Sequence, residues 1–98
     1  MTGNSSPDRT TRAARLDALV QEGLRAHQAG KLEEAEAAYR KVLEADPGHA
    51  DANHYLGVIA CEAGMLNESL ELIAKAIGIN PENAHYRCNL GNTLQKLG

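Results

Sequence analysis

Four side chains with ligating or nucleophilic chemistry fall into two short groups. His54 and Cys61 are seven residues apart, and His85 and Cys88 are three apart. Both spacings return to one side of a helix. Each group could therefore present an imidazole and a thiol together, and the two groups could in principle surround a cation. The spacing argues against this. Structural zinc sites hold their ligands in close pairs such as Cys-x2-Cys or His-x3-His, and the chain has neither. A nucleophilic cysteine needs a base beside it and a third group to orient that base. His54 and Cys61 have no obvious acidic partner in a closed pocket. No catalytic residue, metal ligand or cofactor site is expected in this segment.

The elements that position these residues read as helices. The residues up to Arg12, MTGNSSPDRTTR, are polar and rich in Ser, Thr, Gly and Pro, and are expected to be a flexible lead-in. From Ala13 onward Leu16, Leu19, Val20 and Leu24 recur at three- and four-residue spacings, and Gly30 ends that helix. A second helix is predicted from about Leu32 to Ala45. Its apolar side carries Ala35, Ala38, Tyr39 and Val42, its other side Glu33, Glu36, Arg40 and Glu44. Asp46-Pro47-Gly48 breaks the chain. Three more helices follow, near Ala50–Ala63, Leu66–Ile79 and Ala84–Leu97. No segment alternates with the period of two that a strand requires.

Composition narrows the function. The 98 residues carry a formal net charge of −3, which offers no surface for nucleic acid or an anionic membrane. No apolar run could span a bilayer, and the N-terminus lacks the apolar stretch of a secretory signal. Two cysteines are too few for a disulfide framework. A cytoplasmic location is the expectation.

Glycine and proline provide the main signal. Gly23, Gly57 and Gly91 are spaced by 34, as are Gly30, Gly64 and Gly98, and Pro47 and Pro81. Three sets of markers share one period, with two helices in each. The first set lies inside helices, where glycine costs about 1 kcal/mol against alanine. It is expected where one helix crosses another closely. The second set ends the first helix of each unit with positive φ.

This pattern resembles the tetratricopeptide repeat family, whose units follow W-x2-L-G-x2-Y, A-x3-F and a closing proline. The second unit matches at Asn53, Leu56, Gly57, Ala60, Ser69, Ile73 and Pro81. The first matches at Leu19, Glu22, Gly23, Ala26, Ala35, Tyr39 and Pro47. The third begins with Arg87, Leu90, Gly91 and Leu94. The resemblance implies an all-α, right-handed superhelix of about two and a half units, over 16–49, 50–83 and a partial 84–98, within one domain of residues 13–98. It further implies a concave face lined by the first helices. Val20, Leu24, His27 and Gln28 belong to it from the first unit. Asp51, His54, Val58, Cys61 and Glu62 come from the second. His85, Cys88, Asn89, Asn92 and Gln95 come from the third.

That face would hold a peptide or protein partner. The lysine, arginine and asparagine clamp that the family uses on acidic C-terminal tails is missing here. Asn89, in NLGN, is similar to the asparagine ladder of the superhelix attached to O-linked N-acetylglucosamine transferases. Gln21 and Tyr55 stand at the equivalent places. In such a stack Cys61 and Cys88 would lie at different heights, against a disulfide. The texture also resembles repeat regions that precede glycosyltransferase, sulfotransferase or methyltransferase domains in bacterial proteins. Leu90, Leu94 and Leu97 form an apolar stripe on the last helix, residues 84–97, without a capping helix. Self-association through it is expected.

Overall fold

The computed structural model of the chain describes residues 7–98. Five helices follow one another: α1 (Pro7–Gln28), α2 (Leu32–Ala45), α3 (Ala50–Glu62), α4 (Leu66–Ile79) and α5 (Ala84–Leu97). No strand occurs among the described residues. Each helix packs on the next in sequence, and α3 also touches α5. Contacts thus run within a unit or between adjacent units, as in a solenoid. The Cα radius of gyration is 14.8 Å, above the roughly 13 Å of a compact domain of this length.

Four of the helices match the sequence reading to within one residue. The exception is α1, which starts at Pro7 instead of Ala13. Apolar periodicity marks only the packed part of a helix, and proline is favoured at a first helical position, where its missing N–H is no loss. The expected lead-in is therefore helical from Pro7 onward, and residues 1–6 lie outside the described residues. Arg12, in this extension, donates from its guanidinium to the carbonyl of Ala45 at the end of α2. A cation there also meets the negative end of the helix dipole.

The turns inside the two complete units are built alike. Gly30 and Gly64 adopt φ +80° and +83°. The N–H of Lys31 reaches back to Ala26 O, and that of Met65 to Ala60 O, each at 2.8 Å. These bonds satisfy carbonyls that a helix end leaves open, and they need a left-handed residue between. The turns between units are held differently. Asn83 caps α5 by accepting from the N–H groups of His85 and Tyr86. His49 caps α3, with Nδ1 accepting from Ala52 N at 3.2 Å.

Asn53 and Arg87 occupy the aromatic position of the repeat pattern, and both act on the preceding turn. Asn53 Nδ2 donates to Pro47 O at 3.1 Å and to His49 O at 3.0 Å. Arg87 donates to Pro81 O at 2.9 Å. A donor has replaced bulk at that position, and it ties the first helix to the proline that closes the preceding unit.

The core gathers Val20, Ala35, Tyr39, Val42, Ala52, Leu56 and Ile59. Two of the helical glycines meet the close crossings expected of them. A Cβ on Gly23 would stand 2.5 Å from the Tyr39 ring, and one on Gly57 would stand 2.7 Å from Ile73 Cγ1. In both units the first helix admits the second helix's large side chain at this point. Gly91 departs from the expectation, since nothing lies within 4 Å of its would-be Cβ. The contact is made within a unit, by the second helix, and no such helix packs on α5 here. Leu94 and Leu97 are correspondingly exposed, at 51 % and 42 %.

Candidate functional site

Positions one period apart should occupy equivalent places on α1, α3 and α5. One face brings residues of all three helices together. Two adjoining clefts run across these helices. The first, of about 290 Å³, takes Leu24, His27 and Gln28 from α1, then Asp51, His54, Tyr55 and Val58 from α3. Asn83, His85, Tyr86 and Asn89 complete it. The second, of about 270 Å³, is shared between Val58, Cys61 and Glu62 of α3 and Asn89, Asn92, Gln95 and Lys96 of α5, with Ile73 and Thr93 behind. Val58 and Asn89 belong to both and mark the junction.

Three polar contacts tie the first helices together, and all have one spacing. His27 Nε2 meets Glu62 Oε1 at 2.9 Å. Asp51 Oδ1 accepts from the Tyr86 hydroxyl. His54 Nε2 meets Asn89 Nδ2 at 2.7 Å. Each pair is 35 residues apart. That is one repeat plus one residue, so successive first helices lie side by side with a one-residue slip.

This slip decides which expected residues reach the clefts. Leu24, His27, Asp51, His54, Val58, His85 and Asn89 line the first, and Cys61 and Asn92 the second. Val20 and Cys88 line neither. Val20, His54 and Cys88 are one position repeated at intervals of 34; at His54 it meets Asn89 of the next unit's first helix and still borders the first cleft. Val20 is sealed in the core at 6 % exposure, and His54 is covered at 4 %. Cys88 is exposed. Helical spacing alone cannot tell a sealed position from one that borders a groove.

Sequence reasoning also missed lining residues. Tyr55 and Tyr86 are not among the residues expected on the concave face. Tyr86 is buried at 2 %, yet both border the first cleft. Tyr55 lies stacked on Tyr39 with ring centroids 5.6 Å apart, and 5.0 Å from the His54 ring. Lys96 is the period equivalent of Gln28 and Glu62, which would have found it.

The groove's groups are mostly uncharged. Burial pulls the His54 pKa down, against the opposing pull of Asp51, and His85 lowers it further. Nε2 accepts the Asn89 amide, which puts the ring proton on Nδ1, a buried atom with no partner. A charged imidazole would set N–H against N–H across that bond. Burial raises the Tyr55 and Tyr86 phenols, and Tyr86 is raised further by the hydrogen bond it donates to Asp51. Both thiols are free, Cys61 half-buried and Cys88 exposed. Among the described residues no three His, Cys, Asp or Glu side chains gather as a metal site would require. None of the described helices is long and apolar enough to cross a membrane.

Comparison with known proteins follows the same lines. A tetratricopeptide repeat family model matches residues 26–96. Cellulose synthase operon protein C of Komagataeibacter xylinus is 37 % identical over 68 residues, which are 68 % of this chain and 5 % of that protein. Among solved structures, a mutant of Thermobaculum terrenum O-GlcNAc transferase superposes with a TM-score of 0.84 at 31 % identity. That match covers 96 % of this chain and 17 % of the transferase chain. The C-terminal TPR-containing domain of a Plasmodium falciparum FK506-binding protein superposes with a TM-score of 0.84 at 22 % identity, over 98 % of this chain and 64 % of that one. The chain therefore spans a small fraction of the curated relative and of the transferase.

Proposed function

This chain belongs to the tetratricopeptide repeat family, and from that premise we propose that it is a scaffold holding a segment of a partner protein in the groove across α1, α3 and α5. One observation carries the reading. Equivalent positions of three successive first helices form adjoining clefts, and the cross-unit bonds at 35-residue spacing hold their lining in place. A pre-positioned lining of apolar, amide and phenol groups suits an extended chain, which needs shallow pockets and hydrogen-bonding side chains. Catalysis is not assigned to this segment: His54 is committed to Asn89, and an open groove excludes water poorly. A cytoplasmic place of action agrees with two free thiols.

Panning a displayed peptide library on the chain tests the proposal. Enriched peptides should bind the parent and fail on Val58→Glu, which sets a charge at the junction of the clefts. Enrichment of nothing, or of peptides indifferent to Val58→Glu, would overturn it.

A second reading is that the chain is the substrate-positioning region of a larger bacterial enzyme such as a glycosyltransferase or sulfotransferase. The likeness to an O-GlcNAc transferase, at 31 % identity over 17 % of its length, favours it. Sequencing the codons that follow Gly98 decides between the two: a catalytic domain supports the second reading, and an early stop removes it.

A further inference from the structure

The first cleft has an uneven charge. Asp51 is the only Asp, Glu, Lys or Arg in its lining. Among the described residues no lysine or arginine forms an ion pair with it. Its carboxylate is held in place, because Oδ1 accepts from the Tyr86 hydroxyl and the side chain stands half-buried on the first turn of α3. One oxygen therefore keeps its lone pairs for a visitor. One helical turn further along lies Tyr55, half-buried and backed by the rings of Tyr39 and His54. A fixed carboxylate and an aromatic ring, four residues apart on one helix, make a pair of complementary surfaces. One offers charge and the other a π-face.

We propose that this cleft receives a cationic side chain of the bound segment, an arginine first of all, with its guanidinium paired to Asp51 and lying against Tyr55. The inference rests on the scaffold reading and adds the chemistry of the partner. A guanidinium fits better than an ammonium: it is planar, donates two parallel N–H groups to a carboxylate, and stacks on a ring face. An acidic segment is excluded by the same charge, since its carboxylate would approach Asp51 with no cation in the lining to offset the repulsion.

The test uses blocked pentapeptides Gly-Ser-X-Ser-Gly at millimolar concentration, with X arginine, lysine, citrulline or glutamate. Amide chemical shifts of the folded chain give both affinity and location. Citrulline keeps the shape of arginine and removes its charge. The arginine peptide should bind about tenfold tighter than the citrulline peptide, the worth of one charge-assisted contact. It should move the Asp51, Tyr55 and Tyr86 resonances, and weaken with salt. Asp51→Asn, whose amide oxygen can still accept from Tyr86, should abolish the preference. Glu71→Gln, the same charge change on exposed α4, should keep it. Equal binding of the arginine, citrulline and glutamate peptides, or a preference that survives Asp51→Asn, overturns the inference and leaves the scaffold standing. Binding of none of the four overturns both. The arginine–citrulline comparison needs no variant, so it decides the matter even where Asp51→Asn folds poorly.

Discussion

The same substitution at two equivalent glycines should have opposite effects. In Gly57→Ala the new Cβ would sit 2.7 Å from Ile73 Cγ1, 3.2 Å from Leu72 Cβ and 3.3 Å from the Ser69 carbonyl oxygen. Carbon atoms pack at about 3.5–4.0 Å, so the first contact overlaps by roughly 1 Å. Ile73 is 0 % exposed and its clashing atom, Cγ1, is not the free end of a long side chain, and the Ser69 oxygen belongs to the backbone of α4. Overpacking of this kind costs about 1–3 kcal/mol. Alanine's better helix propensity returns about 1 kcal/mol. Buried and backbone atoms on the other side place the clash in the upper part of that range, about 2–3 kcal/mol, so the net loss is about 1–2 kcal/mol. Gly91→Ala meets nothing within 4 Å, so only propensity acts, a gain of about 0.5–1 kcal/mol. At about 4–8 °C per kcal/mol for a domain of this size, Gly57→Ala lowers Tm by roughly 4–16 °C. Gly91→Ala raises it by roughly 2–8 °C. Thermal melts followed by circular dichroism, with urea midpoints as a check, read both. A rise in Tm for Gly57→Ala, or a fall for Gly91→Ala, would refute the argument that within-unit contact is what demands glycine.

Three further outcomes are expected. His54 has a folded pKa below its unfolded value of 6.5, so the unfolded chain binds the proton more readily. Stability should fall as pH drops below about 6.5 towards the folded pKa, and urea midpoints should fall less steeply with acid in His54→Gln; an identical slope in both proteins would sink this account. Tyr39 is the opposite case, its pKa pushed up to about 12 by burial and its hydroxyl unpartnered. Its contribution is complete below pH 10 and fades as pH rises towards 12, so Tyr39→Phe should flatten the alkaline loss in a melt series and cost no stability at pH 7. Finally, the exposed Leu94 and Leu97 on α5 should pair two copies of the chain. Light scattering should show mass rising with concentration, and Leu94→Lys should hold it at the monomer; a constant monomer mass in the parent would count against pairing.

Much of this fold was legible because its signals are local. Gly30 and Gly64 announce left-handed helix ends within a window of a few residues, and the observed φ values agree. The period of 34 needs only counting. The start of α1 was less legible, because Pro7 and the residues after it carry no apolar stripe. At the site, residues such as Leu24, Val58 and Asn92 could be assigned to the groove by carrying one unit's position onto the next. Val20 and Cys88 could not. They share their repeat position with His54, which does border the groove, and whether that position is sealed, lining or open is set by what packs beside it. Asn53 and Arg87 looked like degenerate aromatics, and their bonds to Pro47 and Pro81 emerge only once the turn is folded.

The sequence by itself determined five helices, their turns, the repeat and hence the solenoid. These depend on backbone preference and on spacing along one chain. The tertiary structure decided the one-residue slip between units. That slip pairs His27 with Glu62, Asp51 with Tyr86 and His54 with Asn89. It is set where side chains of successive first helices meet, whereas Tyr39 against Gly23 and Ile73 against Gly57 fix the packing inside each unit. A period counted along the chain holds no record of how those side chains meet.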